Sequence, residues 1–246
     1  MKTHTSKKNH GYKHIFIDLD RTIWDFERNA RETFMEIYHK HQLFDHFAGF
    51  DEFYDHYKEY NETLWKLYRE GEVKKDDLSW KRFLLTLKEG GVDDEKLAKT
   101  MSEEYLSISP TKRKLFSYAQ MSLIYLRKEY KMHLITNGFK EVQHEKIKNA
   151  KLRKYFDNIF TSEEIGAQKP KKAFFDEIIK RTGAKKKESL VVGDDMVVDI
   201  IGAHNAGMDQ VWFNPGHIDL MDIEEDIPEG VPTFEIHNLR ELIHML

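Results

Sequence analysis

After Pro110 the sequence alternates between helical stripes and short apolar runs, and this alternation constrains the fold more than any other feature. The predicted strands are 132–136, 159–160, 190–193 and 210–213, and the predicted helices are 115–126, 141–149, 172–181 and 197–206. Alternating strands and helices predict a parallel sheet with right-handed crossovers. Another apolar run, at 14–18, is typical of a strand buried on both faces, and it must join this sheet because it has no other partner.

The stretch between the first strand and Pro110 has a helical pattern. Apolar residues recur there at spacings of three and four along 53–67, 78–87 and 97–105. Gly71 and the Gly90-Gly91 pair end the first two stripes. We therefore predict two domains: an α/β core formed by 1–23 and 108–246, and an insertion of four or so helices at 24–107.

Composition excludes several classes of function. The 246 residues include 39 basic and 43 acidic ones, so the net charge is −4 and a strongly basic nucleic-acid-binding surface is not expected. The chain has no cysteine, which excludes disulfides, thiolate metal sites and cysteine nucleophiles. No apolar run approaches the ~20 residues of a membrane span. The first ten residues are polar and do not resemble a secretory signal, so we expect a cytoplasmic protein.

Polar side chains gather where the predicted strands end. In open parallel sheets, ligands bind outside the carboxyl ends of the strands. The residues at or just after these ends are Asp18 and Asp20, then Thr136, Asn137 and Gly138, then Lys169, and finally Asp194, Asp195 and Asp199. Singly, each of these motifs is also a common turn or helix cap. Their order along the chain and their placement at successive strand ends predict one shared site.

Clustered carboxylates repel one another, so such a site calls for a cation. Mg²⁺ suits one or two carboxylates together with a substrate phosphate. The Thr136 hydroxyl and the backbone N–H groups of Asn137 and Gly138 are suitable donors to phosphate oxygens. We expect Asp18 to attack phosphorus and Asp20 to act as the general acid and base.

These motifs resemble the haloacid dehalogenase-like (HAD) phosphohydrolase superfamily. The segments that carry the resemblance are DLDRT at 18–22, ITNG at 135–138, QKP at 168–170 and GDDMVVD at 193–199. Within the superfamily, ITNGF at 135–139, FTSEEIGAQKP at 160–170 and VWFN at 211–214 look like the YjjG/YfnB-type 5′-nucleotidases. The resemblance implies a Rossmann-like parallel sheet with a helical C1-type cap inserted after strand one.

The resemblance also implies a role for each matching residue. It makes Asp18 the nucleophile and a magnesium ligand, and Asp20 the general acid/base whose backbone carbonyl also binds magnesium. Thr136 binds phosphate with Asn137 and Gly138 beside it, and Lys169 neutralises charge on the phosphate. Asp194 binds the metal, and Asp199 orders the metal's surroundings. Two residues depart from the usual pattern: Arg21 in the first motif, and Asp195, which could share the metal role with Asp194.

The expected function is hydrolysis of a small phosphate ester, with nucleoside 5′-monophosphates favoured and pyrimidines preferred. Sugar-phosphate phosphatase, phosphoglycolate phosphatase and phosphomutase activities would use the same core residues. Haloacid dehalogenation and a non-catalytic interaction role fit less well, because the chain carries Asp20 and the acids at 194–199. The helical insertion would close over the site as a lid. It is rich in aromatic residues, but an aromatic stripe at helical spacing is most often core packing.

Overall fold

A computed structural model describes residues 11–246. Six parallel strands form one sheet in the order β3-β2-β1-β4-β5-β6. The strands are β1 His14–Asp18, β2 Lys131–Thr136, β3 Asn158–Thr161, β4 Ser189–Gly193, β5 Asp209–Phe213 and β6 Phe234–Ile236. The predicted parallel α/β fold is confirmed. The first strand lies between β2 and β4, so its carboxyl end is flanked by the ends of both.

Helices cover both faces of this sheet. Side chains alternate along a strand, and in β1 Ile15 and Ile17 enter one hydrophobic cluster while Phe16 enters the other. The helices of this unit are α5 Ala119–Leu126, α6 Lys140–Asn149, α7 Ser162–Ile165, α8 Lys172–Thr182, α9 Gly202–Asn205 and α10 Glu241–Met245. Helices α5, α6 and α10 contribute buried side chains to the cluster that contains Ile15. Helices α8 and α9 contribute buried side chains to the cluster that contains Phe16.

The chain divides into two compact units. Of the described residues, 11–26 and Lys114–Leu246 form the unit that contains the sheet, and Glu27–Arg113 form the other. The helices of the second stretch are α1 Phe26–Lys40, α2 Phe50–Glu70, α3 Lys75–Glu89 and α4 Glu95–Ile108. The predicted helical stripes are therefore confirmed. Gly71 ends α2 in the left-handed conformation, with φ of 87°, a region that glycine enters without steric cost.

Aromatic side chains build the core of the helical unit. Phe34 lies at its centre, with ring centroids 4.0 Å from Tyr57 and 4.8 Å from Tyr105. Phe53 and Phe83 are fully buried against the same ring. Core packing is therefore the role of the aromatic stripe that contains Phe53 and Tyr57, as its helical spacing predicts.

Three local features differ from the sequence-based expectation. The predicted helix at 115–126 begins only at Ala119, because Leu115 pairs its backbone with Trp24 in an isolated bridge. The helix predicted at 197–206 opens with a π-helical turn, Met196–Ile201, before α9. The strand β6 and the helix α10 are only three and five residues long, and neither was predicted from the sequence.

Within residues 11–246, no helix combines the length and the apolar character that crossing a membrane requires. The expectation about a secretory signal concerns the first ten residues, which lie outside the described part of the chain.

Candidate active site

Three carboxylates meet at the carboxyl ends of β1 and β4. Asp18 is the last residue of β1, Asp194 directly follows β4, and Asp199 lies in the π-helical turn after it. One oxygen from each lies within 4.8 Å of the others. The strands β1 and β4 are hydrogen-bonded neighbours, so residues far apart in sequence converge here. The structure thus brings together three of the acids that were predicted to lie at strand ends.

Lys169 places a buried ammonium group inside this cluster. Its Nζ donates to Asp18 Oδ1 at 2.7 Å and to Asp199 Oδ1 at 2.5 Å. The residue is only 1% exposed. Burial alone would lower the pKa of Lys169, but the two carboxylates raise it above its ordinary value. Lys169 is therefore a fixed positive charge rather than a proton donor.

The carboxylates carry more negative charge than Lys169 neutralises. Burial raises the pKa of Asp18 to about 7, with further upward contributions from Asp199 and Asp20 and a downward one from Lys169. Burial also raises the pKa of Asp194 well above its ordinary value, as do the charges of Asp18 and Asp199. The pKa of Asp199 is raised, mainly by burial. Three acids around one lysine thus create a strong local demand for a cation.

The donor set suits magnesium. The Asp194 carboxylate accepts a hydrogen bond from Thr22 Oγ1 at 3.0 Å. The positive charge of Arg21 lowers the pKa of Asp194 and so opposes in part the upward effect of burial and of the neighbouring acids. Buried carboxylates that face one another and offer only oxygen ligands fit a hard divalent cation. Asp18, Asp194 and Asp199 are the side chains that could hold one.

Asn137 and Gly193 shape the walls of the cluster. The Asn137 side chain donates to the Lys169 carbonyl oxygen at 2.8 Å and accepts from the Lys169 N–H at 2.9 Å, so it holds the loop that carries the lysine. A Cβ on Gly193 would overlap the Asp199 side chain, so only glycine allows that carboxylate to approach β4. Asn137 thus uses its side chain for positioning. The predicted contact from its backbone N–H to phosphate stays a prediction.

Thr136 and Asp20 lie together beside this cluster. Gln143 Nε2, on α6, donates to Thr136 Oγ1 at 2.6 Å and to Asp20 Oδ2 at 2.7 Å. The Gly138 N–H also donates to Thr136 Oγ1, at 3.1 Å. With two bonds already accepted, the Thr136 hydroxyl keeps its own proton available to donate to a substrate oxygen.

Lys146, also on α6, holds the other oxygen of Asp20. Its Nζ lies 2.6 Å from Asp20 Oδ1. Neither Gln143 nor Lys146 was predicted as a site residue from the sequence. The available signal was two polar residues spaced three apart on one helix face, directly after the ITNG motif.

The remaining acid, Asp195, accepts hydrogen bonds from the backbone of the turn that follows it. Its Oδ1 accepts from the Val197 N–H at 3.0 Å and the Val198 N–H at 2.8 Å, which caps the π-helical turn. Arg21, the unusual residue of the first motif, has φ of 62° and places its guanidinium 4.4 Å from the ring centroid of Phe26.

Sequence comparison agrees with this geometry. A model of the haloacid dehalogenase-like hydrolase family matches residues 12–207, which span β1 to the turn after α9. The chain belongs to the haloacid dehalogenase-like hydrolases. The family membership inferred from the four motifs is confirmed.

Individual relatives cover almost the whole chain of this haloacid dehalogenase-like hydrolase. HAD-hydrolase YfnB of Bacillus subtilis (strain 168) is 29% identical over 236 residues, or 96% of this chain and 95% of that protein. Pyrimidine 5′-nucleotidase YjjG of Escherichia coli (strain K12) is 30% identical over 236 residues, or 94% of this chain and 96% of that protein. Glyceraldehyde 3-phosphate phosphatase of Methanothermobacter thermautotrophicus is 29% identical over 241 residues, or 95% of this chain and 99% of that protein.

A solved structure shows the same fold. The crystal structure of B. subtilis YfnB bound to magnesium has a TM-score of 0.82 and 28% identity, covering 96% of this chain and 98% of that chain. The haloacid dehalogenase-like architecture described above thus recurs in a protein that binds the cation expected here.

Proposed function

We propose that this chain is a Mg²⁺-dependent phosphomonoester hydrolase that acts through an aspartyl-phosphate on Asp18. The observation that carries the proposal is the buried cluster in which Lys169 Nζ bonds both Asp18 and Asp199 while Asp194 lies beside them. An excess of buried carboxylate charge is costly for folding alone, but it is suited to binding a cation and a phosphate ester.

Asp18 and Asp194 would hold the magnesium ion, with the backbone carbonyl of Asp20 as the further ligand that the family resemblance implies. When bound, the ion offsets negative charge on the phosphate and on the carboxylates. Asp199 is paired with Lys169, so it fixes the lysine and shapes the surroundings of the metal.

In the first half-reaction, a carboxylate oxygen of Asp18 attacks phosphorus and the bond from phosphorus to the ester oxygen breaks. Asp20 gives its proton to the departing oxygen, so the product leaves as an alcohol. Lys169 Nζ and the Thr136 hydroxyl donate to the phosphoryl oxygens, which stabilises the charge that develops there.

In the second half-reaction, Asp20 takes a proton from water and the resulting hydroxide attacks phosphorus. The bond between phosphorus and the Asp18 oxygen breaks, which frees inorganic phosphate and restores the Asp18 carboxylate. Asp20 ends the cycle protonated, as it began, so the net reaction is hydrolysis of the ester.

Nucleoside 5′-monophosphates, with pyrimidines favoured, are the proposed substrates. The support is the similarity to the pyrimidine 5′-nucleotidase YjjG over nearly the full length of both chains. We also propose that the helical stretch 24–107 is the cap that selects the substrate. Hydrolysis of a small sugar phosphate is the second candidate, because the glyceraldehyde 3-phosphate phosphatase is similar to a comparable degree.

The test is phosphate release by the full chain from UMP, dUMP, dTMP, AMP, glyceraldehyde 3-phosphate and phosphoglycolate, with Mg²⁺ or excess EDTA. We expect pyrimidine nucleotides to give the highest kcat/KM and EDTA to stop turnover. Asp18→Asn should abolish activity, whereas the matched change at an exposed acid, Asp226→Asn, should not. Full turnover in EDTA, or activity in Asp18→Asn, would contradict the mechanism. Chloride release from 2-chloropropionate would instead indicate a dehalogenase.

A further inference from the structure

Two residues of α6 donate hydrogen bonds to the carboxylate of Asp20, one to each oxygen. Gln143 Nε2 donates to Oδ2 at 2.7 Å, and Lys146 Nζ donates to Oδ1 at 2.6 Å. The two residues are three positions apart, so they project from the same face of the helix. Both are almost fully buried, with 1% and 4% of their surface exposed.

Gln143 also ties Asp20 to the predicted phosphate-binding hydroxyl. One amide nitrogen bonds both Asp20 Oδ2 and Thr136 Oγ1, so both oxygens lie within hydrogen-bond reach of a single atom. The side-chain amide nitrogen carries two hydrogens, so it can donate to both oxygens at once. A phosphate bound at Thr136 would therefore have its ester oxygen near Asp20.

Lys146 is itself fixed by packing. Its Nζ lies 4.1 Å from the centroid of the Trp24 ring, which is fully buried and comes from the loop after Asp20. A cation over a tryptophan face is held electrostatically as well as by contact. The lysine thus has little freedom to follow Asp20 into another orientation.

Gly138 makes room for this arrangement. A Cβ on Gly138 would lie 2.5 Å from Cδ of Gln143, much closer than carbon atoms approach without strain. The glycine of the ITNG motif therefore has a packing role toward α6, in addition to any contact between its N–H and phosphate.

We propose that Gln143 and Lys146 are positioning residues that hold the Asp20 carboxylate beside Thr136, in the orientation from which it protonates the leaving oxygen. This inference rests on the proposed function, in which Asp20 is the general acid. Each carboxylate oxygen has two lone pairs, so the bonds from α6 leave a site for the transferred proton.

Leaving groups distinguish positioning of an acid from general structural support. An alkyl alkoxide needs a proton as it departs, whereas p-nitrophenolate leaves without one. We therefore compare kcat/KM for UMP and p-nitrophenyl phosphate, with Mg²⁺, in the full chain and in Lys146→Met, Lys146→Arg and Gln143→Leu. Lys148→Met is the matched control, since Lys148 lies on the same helix with 72% of its side chain exposed.

For Lys146→Met we expect kcat/KM to fall about 10- to 100-fold with UMP, part of the range that general acid–base catalysis supplies. The same variant should lose less than about threefold with p-nitrophenyl phosphate, and Lys146→Arg should recover part of the UMP activity. Gln143→Leu should show the same selective loss. The Mg²⁺-induced rise in Tm should match that of the parent protein, because Asp18 and Asp194 are untouched.

Equal losses with both esters, or no loss with either, would overturn the inference. Asp20→Asn separates this failure from failure of the proposed function. If Asp20→Asn selectively loses UMP hydrolysis but neither α6 variant does, only the positioning role is wrong. If Asp20→Asn hydrolyses UMP like the parent protein, the general-acid assignment is wrong and this inference falls with it. If Lys146→Met does not fold, Gln143→Leu decides by the same criteria.

Discussion

The side-chain amide of Asn137 binds the backbone of Lys169 through two hydrogen bonds, donating to its carbonyl oxygen at 2.8 Å and accepting from its N–H at 2.9 Å. Asn137 follows β2 and Lys169 follows β3, so this pair joins the loops after two neighbouring strands. These two hydrogen bonds fix the Lys169 backbone, and so they position its side chain within the carboxylate cluster.

Asn137→Ala should therefore weaken both the fold and the site. It leaves the N–H and the carbonyl of Lys169 without their partner, and an unsatisfied buried polar group costs about 1–3 kcal/mol. We expect the free energy of unfolding in urea to fall by that amount and kcat to fall because Lys169 is less well placed. Asn205→Ala, at an exposed position in α9, is the control. Parent-like stability and kcat in Asn137→Ala would refute this role.

Gly193→Ala should disturb the carboxylate cluster directly. The new methyl group would overlap the Asp199 side chain, and overpacking of this kind typically costs about 1–3 kcal/mol. We expect a lower Tm and a weaker Mg²⁺-induced rise in Tm, because Asp199 and its partner Lys169 must shift. Gly216→Ala adds the same methyl where the nearest atom is 3.8 Å away, so it should behave like the parent protein. The hypothesis fails if the two variants are equally stable.

Asp194→Asn should stabilise the metal-free protein while removing its response to magnesium. Burial, Asp18 and Asp199 raise the pKa of Asp194, so its carboxyl group destabilises the native state increasingly as the pH rises from the ordinary pKa of an aspartate through that raised value. In EDTA at pH 8 we expect Tm to rise by about 2–4 °C, the shift that ~1 kcal/mol produces in a chain of this size. Added Mg²⁺ should raise Tm in the parent protein but not in the variant.

The gain in Asp194→Asn should shrink as the pH falls, because the parent carboxyl then takes up its proton in the native state. Melting curves at pH 5 and pH 8, both in EDTA, measure this. A variant that is less stable than the parent at pH 8 would show that Asp194 supports the fold rather than straining it.

His133 should make the fold sensitive to acid. Burial lowers its pKa to about 4, and the charge of His14 contributes in the same direction. Asn158 Nδ2 lies 3.0 Å from His133 Nδ1, and His133 Nε2 lies 3.0 Å from His14 Nδ1. Asn158 can only donate here, so Nδ1 accepts and Nε2 carries the proton toward His14. The native state therefore holds His133 neutral.

The sign of the effect follows from linkage. Between pH 6.5 and 4 the unfolded chain binds a proton at His133 that the native chain does not, so stability falls as the pH drops through this window. His133→Gln removes this proton and can keep both hydrogen bonds. We expect the loss of unfolding free energy between pH 7.5 and 4.5, measured in urea, to be about 2–3 kcal/mol smaller in the variant. The exposed His244→Gln should keep the full loss. Parallel pH profiles for His133→Gln and the parent would contradict this assignment.

Sequence patterns predicted the large elements well because burial imposes strong periodicities. The apolar run at 14–18 became the strand β1, and the stripe at 53–67 became part of α2, which ends at Gly71. Short elements were missed: Phe234–Ile236 has three residues, too few for a period to emerge. Leu115 fitted the spacing of a helix, but pairing with Trp24 outweighed local propensity.

By itself, the sequence determined the order of the longer strands and helices along the chain, the family, and which acids lie at strand ends and which lysine follows β3. These are local or pairwise properties: an apolar run followed by Asp18, or a glycine followed by Asp194. The tertiary structure decided which oxygen of Asp20 meets Lys146, that Asn137 holds Lys169, and that Asp195 caps a helix while Asp194 accepts a hydrogen bond from Thr22. Hydrogen bonds require atoms to meet within about 3 Å, and only the packing of distant segments sets distances that small.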